Sequence, residues 1–201
     1  MIDTRALREL MADPAQTREA LASIEGYGDQ IIPELRAILE SDQSIARDVA
    51  AIGLADLGAP DADDLLLAVL RRFDYSTLPG PSYNLFGETI TRIQEGLIAG
   101  RRIDVTDEMV RALDASVPNK PEWIDVRQDA IRTLGEAPGP APERVVDILL
   151  DAVATESEGV IAPLAIDVLE EIAPDVWPRA VKVYRDRPDA QLDLIRYASP
   201  E

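Results

Sequence analysis

The side chains that could do chemistry in this chain are overwhelmingly carboxylates. Asp61, Asp63 and Asp64 fall within the four residues DADD, and hard cations such as Ca²⁺ take oxygen ligands at close spacing. An EF-hand loop opening at Asp61 would need Gly in its sixth place and Glu in its twelfth, where Leu66 and Arg72 stand. An Asp-rich helix N-terminus accounts for these acids better. Asp147 with Asp151, and Glu170 with Glu171, have the spacing of helix-surface acids. A carboxylate-pair hydrolase needs two acids facing across a cleft, and nothing singles out such a pair. Histidine is absent, which removes Ser-His-Asp and Cys-His nucleophilic systems, imidazole metal ligands and the commonest general base. Cysteine is absent too, so there is no thiolate nucleophile, zinc-thiolate site or disulfide framework. Neither a Walker pattern nor Gly-x-Gly-x-x-Gly occurs. The expectation is a protein without catalytic residues, cofactor or metal.

The other candidates are aromatic or basic. DYSTLPGPSYNLFG, 74–87, sets Tyr75, Tyr83 and Phe86 among prolines and glycines where a short turn is expected. Long loops inside compact domains are uncommon and often carry function. The rings either anchor a partner or fold back to patch a weak join in the core. In DASVPNKPEWID, 114–125, Trp123 is either an interface hot spot or a staple at a helix start. Arg179, Lys182, Arg185, Arg187 and Arg196 make the C-terminal stretch the basic part of the chain, read as a solvated outer cap.

Charge narrows the partners. Thirty-eight acidic residues face 20 basic ones, a formal charge of −18. Binding to a phosphate backbone relies on Lys and Arg displacing counterions, so direct nucleic-acid binding is disfavoured. An anionic membrane surface would repel the chain as well. MIDTRALREL has no apolar signal core, and LLLAVL at 65–70 is too short to span a bilayer. A soluble, cytoplasmic protein is expected. The acidity either solubilises or attracts a basic protein surface.

The elements that would position these residues follow from a repeated phrase. DVAAIGLADLG at 48–58 returns as DVRQDAIRTLG at 125–135. Counting back from Leu57 and Leu134, Val49 or Val126 stands at eight, Leu54 or Ile131 at three, and Gly53 or Ala130 at four. These offsets put the apolar groups on one helical face, with a small residue that lets a second helix approach. Gly58 and Gly135 are expected to stop the helices. Weaker copies anchored on Ile24, Ile98 and Ile172 give spacings of 33, 41, 36 and 38 residues, a range typical of stacked helical pairs. A second helix lies between anchors: GDQIIPELRAILESD offers Asp29 as cap and Pro33 in the first turn, and segments opening near Asp61, Thr106 and Pro142 follow the same design. With 46% apolar residues, mostly Ala, Leu, Ile and Val, and only 4% aromatics, the composition suits helices throughout.

Residues 26–58 resemble a HEAT-type repeat junction, and Val126, Arg127, Ala130, Leu134 and Gly135 resemble that family's Val-Arg…Ala…Leu-Gly motif more closely. The resemblance covers roughly 26–73 and 122–155. It implies an all-α, right-handed α-solenoid of about five stacked antiparallel helix pairs, forming one domain over 1–201 with an irregular insertion near 74–87. It also implies that second helices near 29–41, 61–73, 106–116, 142–155 and 176–186 line a concave face. Exposed groups on those helices would be Glu34, Asp64, Arg71, Asp107, Glu108, Arg111, Glu143, Asp147 and Asp151. With Tyr75, Tyr83 and Phe86 from the insertion, they form the expected partner-binding set. The functional expectation is a non-catalytic scaffold binding a protein with a basic surface. The alternatives are an acidic inhibitor, immunity protein or nucleic-acid mimic, and a HEAT-like lyase or enzyme accessory subunit.

Overall fold

A computed structural model describes residues 4–41, 44–78, 80–157 and 159–187. These residues are helical with no strand among them, as the Ala- and Leu-rich composition predicts. The chain divides into two compact units, Met1–Ile103 and Asp104–Glu201.

The first unit holds α1 (Thr4–Met11), α2 (Thr17–Tyr27), α3 (Ile32–Leu39), α4 (Ser44–Asp56), α5 (Ala62–Arg72) and α6 (Ser82–Ile98). Every residue of α4 from Asp48 to Leu54 is buried, so this helix lacks the polar face of a surface helix. It packs against α1, α2, α3, α5 and α6. Small side chains make the enclosure possible: a Cβ on Gly53 would lie 2.8 Å from Ile24 Cδ1 of α2. Because α6 also reaches α2 and the 3-10 turn Pro14–Gln16, helices close around α4 instead of flanking it on one side. Gly58 ends α4 as its sequence predicts. At φ 72° it takes the left-handed conformation, Ala59 N donates to Leu54 O at 2.9 Å and Gly58 N to Ala55 O at 3.0 Å, a Schellman end.

The described residues of the 74–87 stretch bring its aromatic rings to the core of this unit. Asp74 accepts from Ser76 N at 3.1 Å and caps a 3-10 turn, Tyr75–Thr77. Phe73, Tyr75 and Phe86 form a buried triad with ring centroids 5.8–6.0 Å apart, and Tyr75 Oη donates to Leu70 O at 3.2 Å. Tyr83 and Phe86 sit in the first turns of α6, so the rings patch the core. Pro79 lies outside the described residues. The third copy of the repeat fails at its anchor: Ile98 is 71% exposed at the end of α6, where Gln94 and Glu95 had already spoiled the apolar stripe.

The second unit holds α7 (Thr106–Ala115), α8 (Ile124–Glu136), α9 (Glu143–Thr155), α10 (Ile161–Ile172) and α11 (Trp177–Arg185). Here α8 packs on α10, α7 on α9 and α9 on α11, while α7–α8, α9–α10 and α10–α11 join across. Successive helices therefore alternate between a layer of α8 and α10 and a layer of α7, α9 and α11. Gly135 does not stop its helix. It lies inside α8, where a Cβ would stand 3.2 Å and 3.4 Å from the Val168 methyls of α10. The two copies of Leu-Gly thus serve different ends, a helix stop at 58 and a close helix crossing at 135. Trp123 is buried in the 3-10 turn Pro121–Trp123 that leads into α8.

Candidate functional site

Ion pairs decide which acids are available. Arg36 donates two bonds of 2.6 Å to Asp61, which holds the Asp61 carboxyl below its ordinary range. Arg101 meets Asp63 at 2.5 Å, so two of the three DADD acids are committed to arginines and only Asp64 projects freely into solvent. Arg92 joins Asp56 at 2.7 Å and Glu88 at 2.6 Å, and its guanidinium pKa is raised chiefly by the bond to Asp56. Arg72 pairs with Asp48, whose burial pushes its carboxyl upward against the pull of that arginine. No group of three or more His, Cys, Asp or Glu side chains able to hold a metal occurs among the described residues.

The twelve residues expected to bind a partner separate into three situations. Tyr75, Phe86 and Glu108 are buried. For Glu108 this corrects the expected exposure: it follows Asp107 on α7, and that one-residue step turns it about 100° toward the layer packed beneath. Glu34 on α3 is tied to Arg8 of α1 through a 2.7 Å bond from Nε, and Tyr83 is half-buried against Gly87. Asp64, Arg71, Asp107, Arg111, Glu143, Asp147 and Asp151 are exposed.

Three of these share one stripe. Glu143, Asp147 and Asp151 stand four residues apart on α9, hence roughly 6 Å from one to the next along the axis. Val145, Leu149, Ala152 and Val153 of the same helix face the core, which is why the acids point outward. Arg144 beside them turns to Asp114 of α7 at 2.6 Å. On the neighbouring α11, Arg179, Lys182 and Arg185 are exposed; Arg196 lies outside the described residues.

Sequence reasoning missed a buried polar clasp at the end of this unit. Arg127 on α8 meets Glu156 at 2.5 Å, with side chains 7% and 1% exposed. Arg127 Nη1 also donates to Ser116 Oγ at 2.5 Å. Glu156 Oε2 accepts from Asn119 N at 3.0 Å, and Asn119 holds φ 58° while its amide oxygen accepts from Ser157 N at 2.5 Å. The available signal was Asn119 between two prolines' neighbourhoods in VPNKP, since Asn tolerates the left-handed region. No described helix is long and apolar enough to cross a membrane. Comparison with protein-family models, curated proteins and solved structures gives no match.

Proposed function

We propose that the chain is a HEAT-like helical-repeat scaffold that binds a basic protein surface without catalysis. The observation that carries the reading is the α9 stripe: Glu143, Asp147 and Asp151 are exposed at helical spacing, with no ion pair to any described residue in a chain that ties many of its other acids to arginine. Supporting the repeat reading, helices α7 to α11 alternate between two layers, the arrangement stacked helix pairs adopt. Complementary charge of this kind speeds encounter and sets register more than it adds affinity.

The stripe's attraction is open to salt. Raising ionic strength from about 0.1 to 1 M shortens the screening length from about 10 to about 3 Å, below the roughly 6 Å between successive acids. Capture from the native host with wild-type protein and with the Glu143→Lys/Asp147→Lys/Asp151→Lys variant tests the reading. A basic partner held at low salt, released at high salt and absent from the variant is the expected result. An acidic partner, or one equally retained by the variant at either ionic strength, sinks the proposal.

A further inference from the structure

A second site lies in the first unit, independent of the α9 stripe. The start of α4, the end of α5 and the start of α6 surround an open groove of about 420 Å³, within the range of about 300–1,000 Å³ typical of small-molecule sites. Its apolar wall comes from Ile45, Phe73 and Leu85, and the rest of its lining includes Arg47, Thr77 and Ser82 together with the Arg72–Asp48 pair and Asp74. Arg47 is the anomaly. It is half-buried, its Nε has no hydrogen-bond acceptor, and among the described residues it makes no ion pair with a carboxylate. The other half-buried or buried arginines among the described residues, Arg36, Arg92, Arg127 and Arg187, all donate to carboxylate or carbonyl oxygens.

The nearby carboxylates are already engaged. Asp48 is taken by Arg72, although the Arg47 charge also acts on it, and Asp74 Oδ1 accepts from Ser76 N and Ser76 Oγ. A half-buried guanidinium whose buried Nε has no acceptor calls for one, because a buried donor left unmade is costly. We propose that this groove binds a small monocarboxylate with an apolar body, its carboxylate held by Arg47 and its body against Ile45, Phe73 and Leu85. Charge selects the class. One uncommitted arginine matches one negative charge, and Asp74 at the rim together with the −18 of the whole chain works against a phosphate dianion.

Titration of the full chain with 4-phenylbutyrate, followed by amide NMR, tests the site. Saturable shifts centred on Arg47, Thr77 and Ser82 are expected, with phenylbutyramide and phenyl phosphate at least tenfold weaker. Arg47→Gln should weaken binding at least tenfold. Ser82→Asp places a negative charge in the groove at a helix start, where an acid favours the fold. It should therefore abolish binding while leaving the melting temperature at or above that of wild type. Equal binding of the amide, or unchanged affinity in both variants, overturns the proposal. A blocked dipeptide with a free C-terminal carboxylate that binds tenfold more tightly than phenylbutyrate overturns the small-molecule assignment in favour of a peptide end.

Discussion

Replacing Glu156 with Ala tests the buried clasp of the second unit. Glu156 and Arg127 are 1% and 7% exposed, so removing the carboxylate leaves a guanidinium in the interior with only Ser116 Oγ at 2.5 Å and the distant Leu113 O at 3.5 Å. Breaking a buried pair in this way costs about 3–5 kcal/mol. The orphaned Asn119 N–H adds little, because Asn119 is exposed and water can replace its acceptor. Against a total of about 5–15 kcal/mol for a small domain, that loss is a large fraction of stability. Deleting both charges is different: Arg127→Met with Glu156→Gln removes attraction and desolvation penalty together, and such swaps are often neutral. The double variant should therefore recover at least about 2 kcal/mol relative to the sum of the single changes. Both tryptophans of the chain, Trp123 and Trp177, belong to the second unit, so urea unfolding followed by tryptophan fluorescence reads this unit alone. A Glu156→Ala cost under about 1 kcal/mol, or strict additivity in the double variant, refutes the reasoning.

Gly135→Ala should destabilise by about 1–2 kcal/mol, because crowding Val168 outweighs the helix-propensity gain of about 1 kcal/mol; adding Val168→Ala should reverse the sign of the Gly135 effect in the same fluorescence assay. Gly58→Ala should cost about 1–2 kcal/mol through its left-handed backbone, measured by circular dichroism melting. Asp61, depressed by Arg36, contributes stability above the ordinary aspartate range that is lost as pH falls through its lowered pKa. Melting temperatures from pH 7 down to about 2.5 should therefore converge for wild type and Asp61→Asn. Asp48, raised by burial, has the opposite sign: its contribution is full below about 3.9 and lost as pH rises through the raised value. Relative to Asp48→Asn, wild type should gain stability as pH is lowered from 7 toward 4.

Local periodicity made the helices legible. The second helices expected near 61–73, 106–116 and 142–155 appear as Ala62–Arg72, Thr106–Ala115 and Glu143–Thr155, because Pro, Asp and apolar spacing act within a few turns. What a given residue does between helices was less legible. Gly58 and Gly135 have the same neighbours in sequence and different jobs, since the second depends on Val168 more than 30 residues away. Glu108 has a surface residue's chemistry and a core residue's position. The encirclement of α4 could be suspected from its run of apolar and small residues, yet only the reach of α6 to α2 closes it. Among the candidate residues, the α9 stripe was readable because three acids at a spacing of four need only a helix to align them. The Arg47 groove was not, because its walls come from three helix ends brought together by tertiary packing.

Scarcity of positive charge ties these observations together. With 38 acids and 20 bases, arginine is the limiting partner, and the fold places it where one helix must hold another: Arg8 joins α1 to α3, Arg36 joins α3 to the start of α5, Arg72 joins α5 to α4, and Arg92 joins α6 to α4. Most of these pairs are partly exposed, where ion pairs are weak, so their value is as much in orientation as in energy. In such a chain a lone surplus carboxylate needs no explanation, because surplus acids are unavoidable, and acids inform only where several align, as on α9. An uncommitted, half-buried arginine does need one, and that asymmetry is why Arg47 points to a ligand more sharply than any of the acids around it.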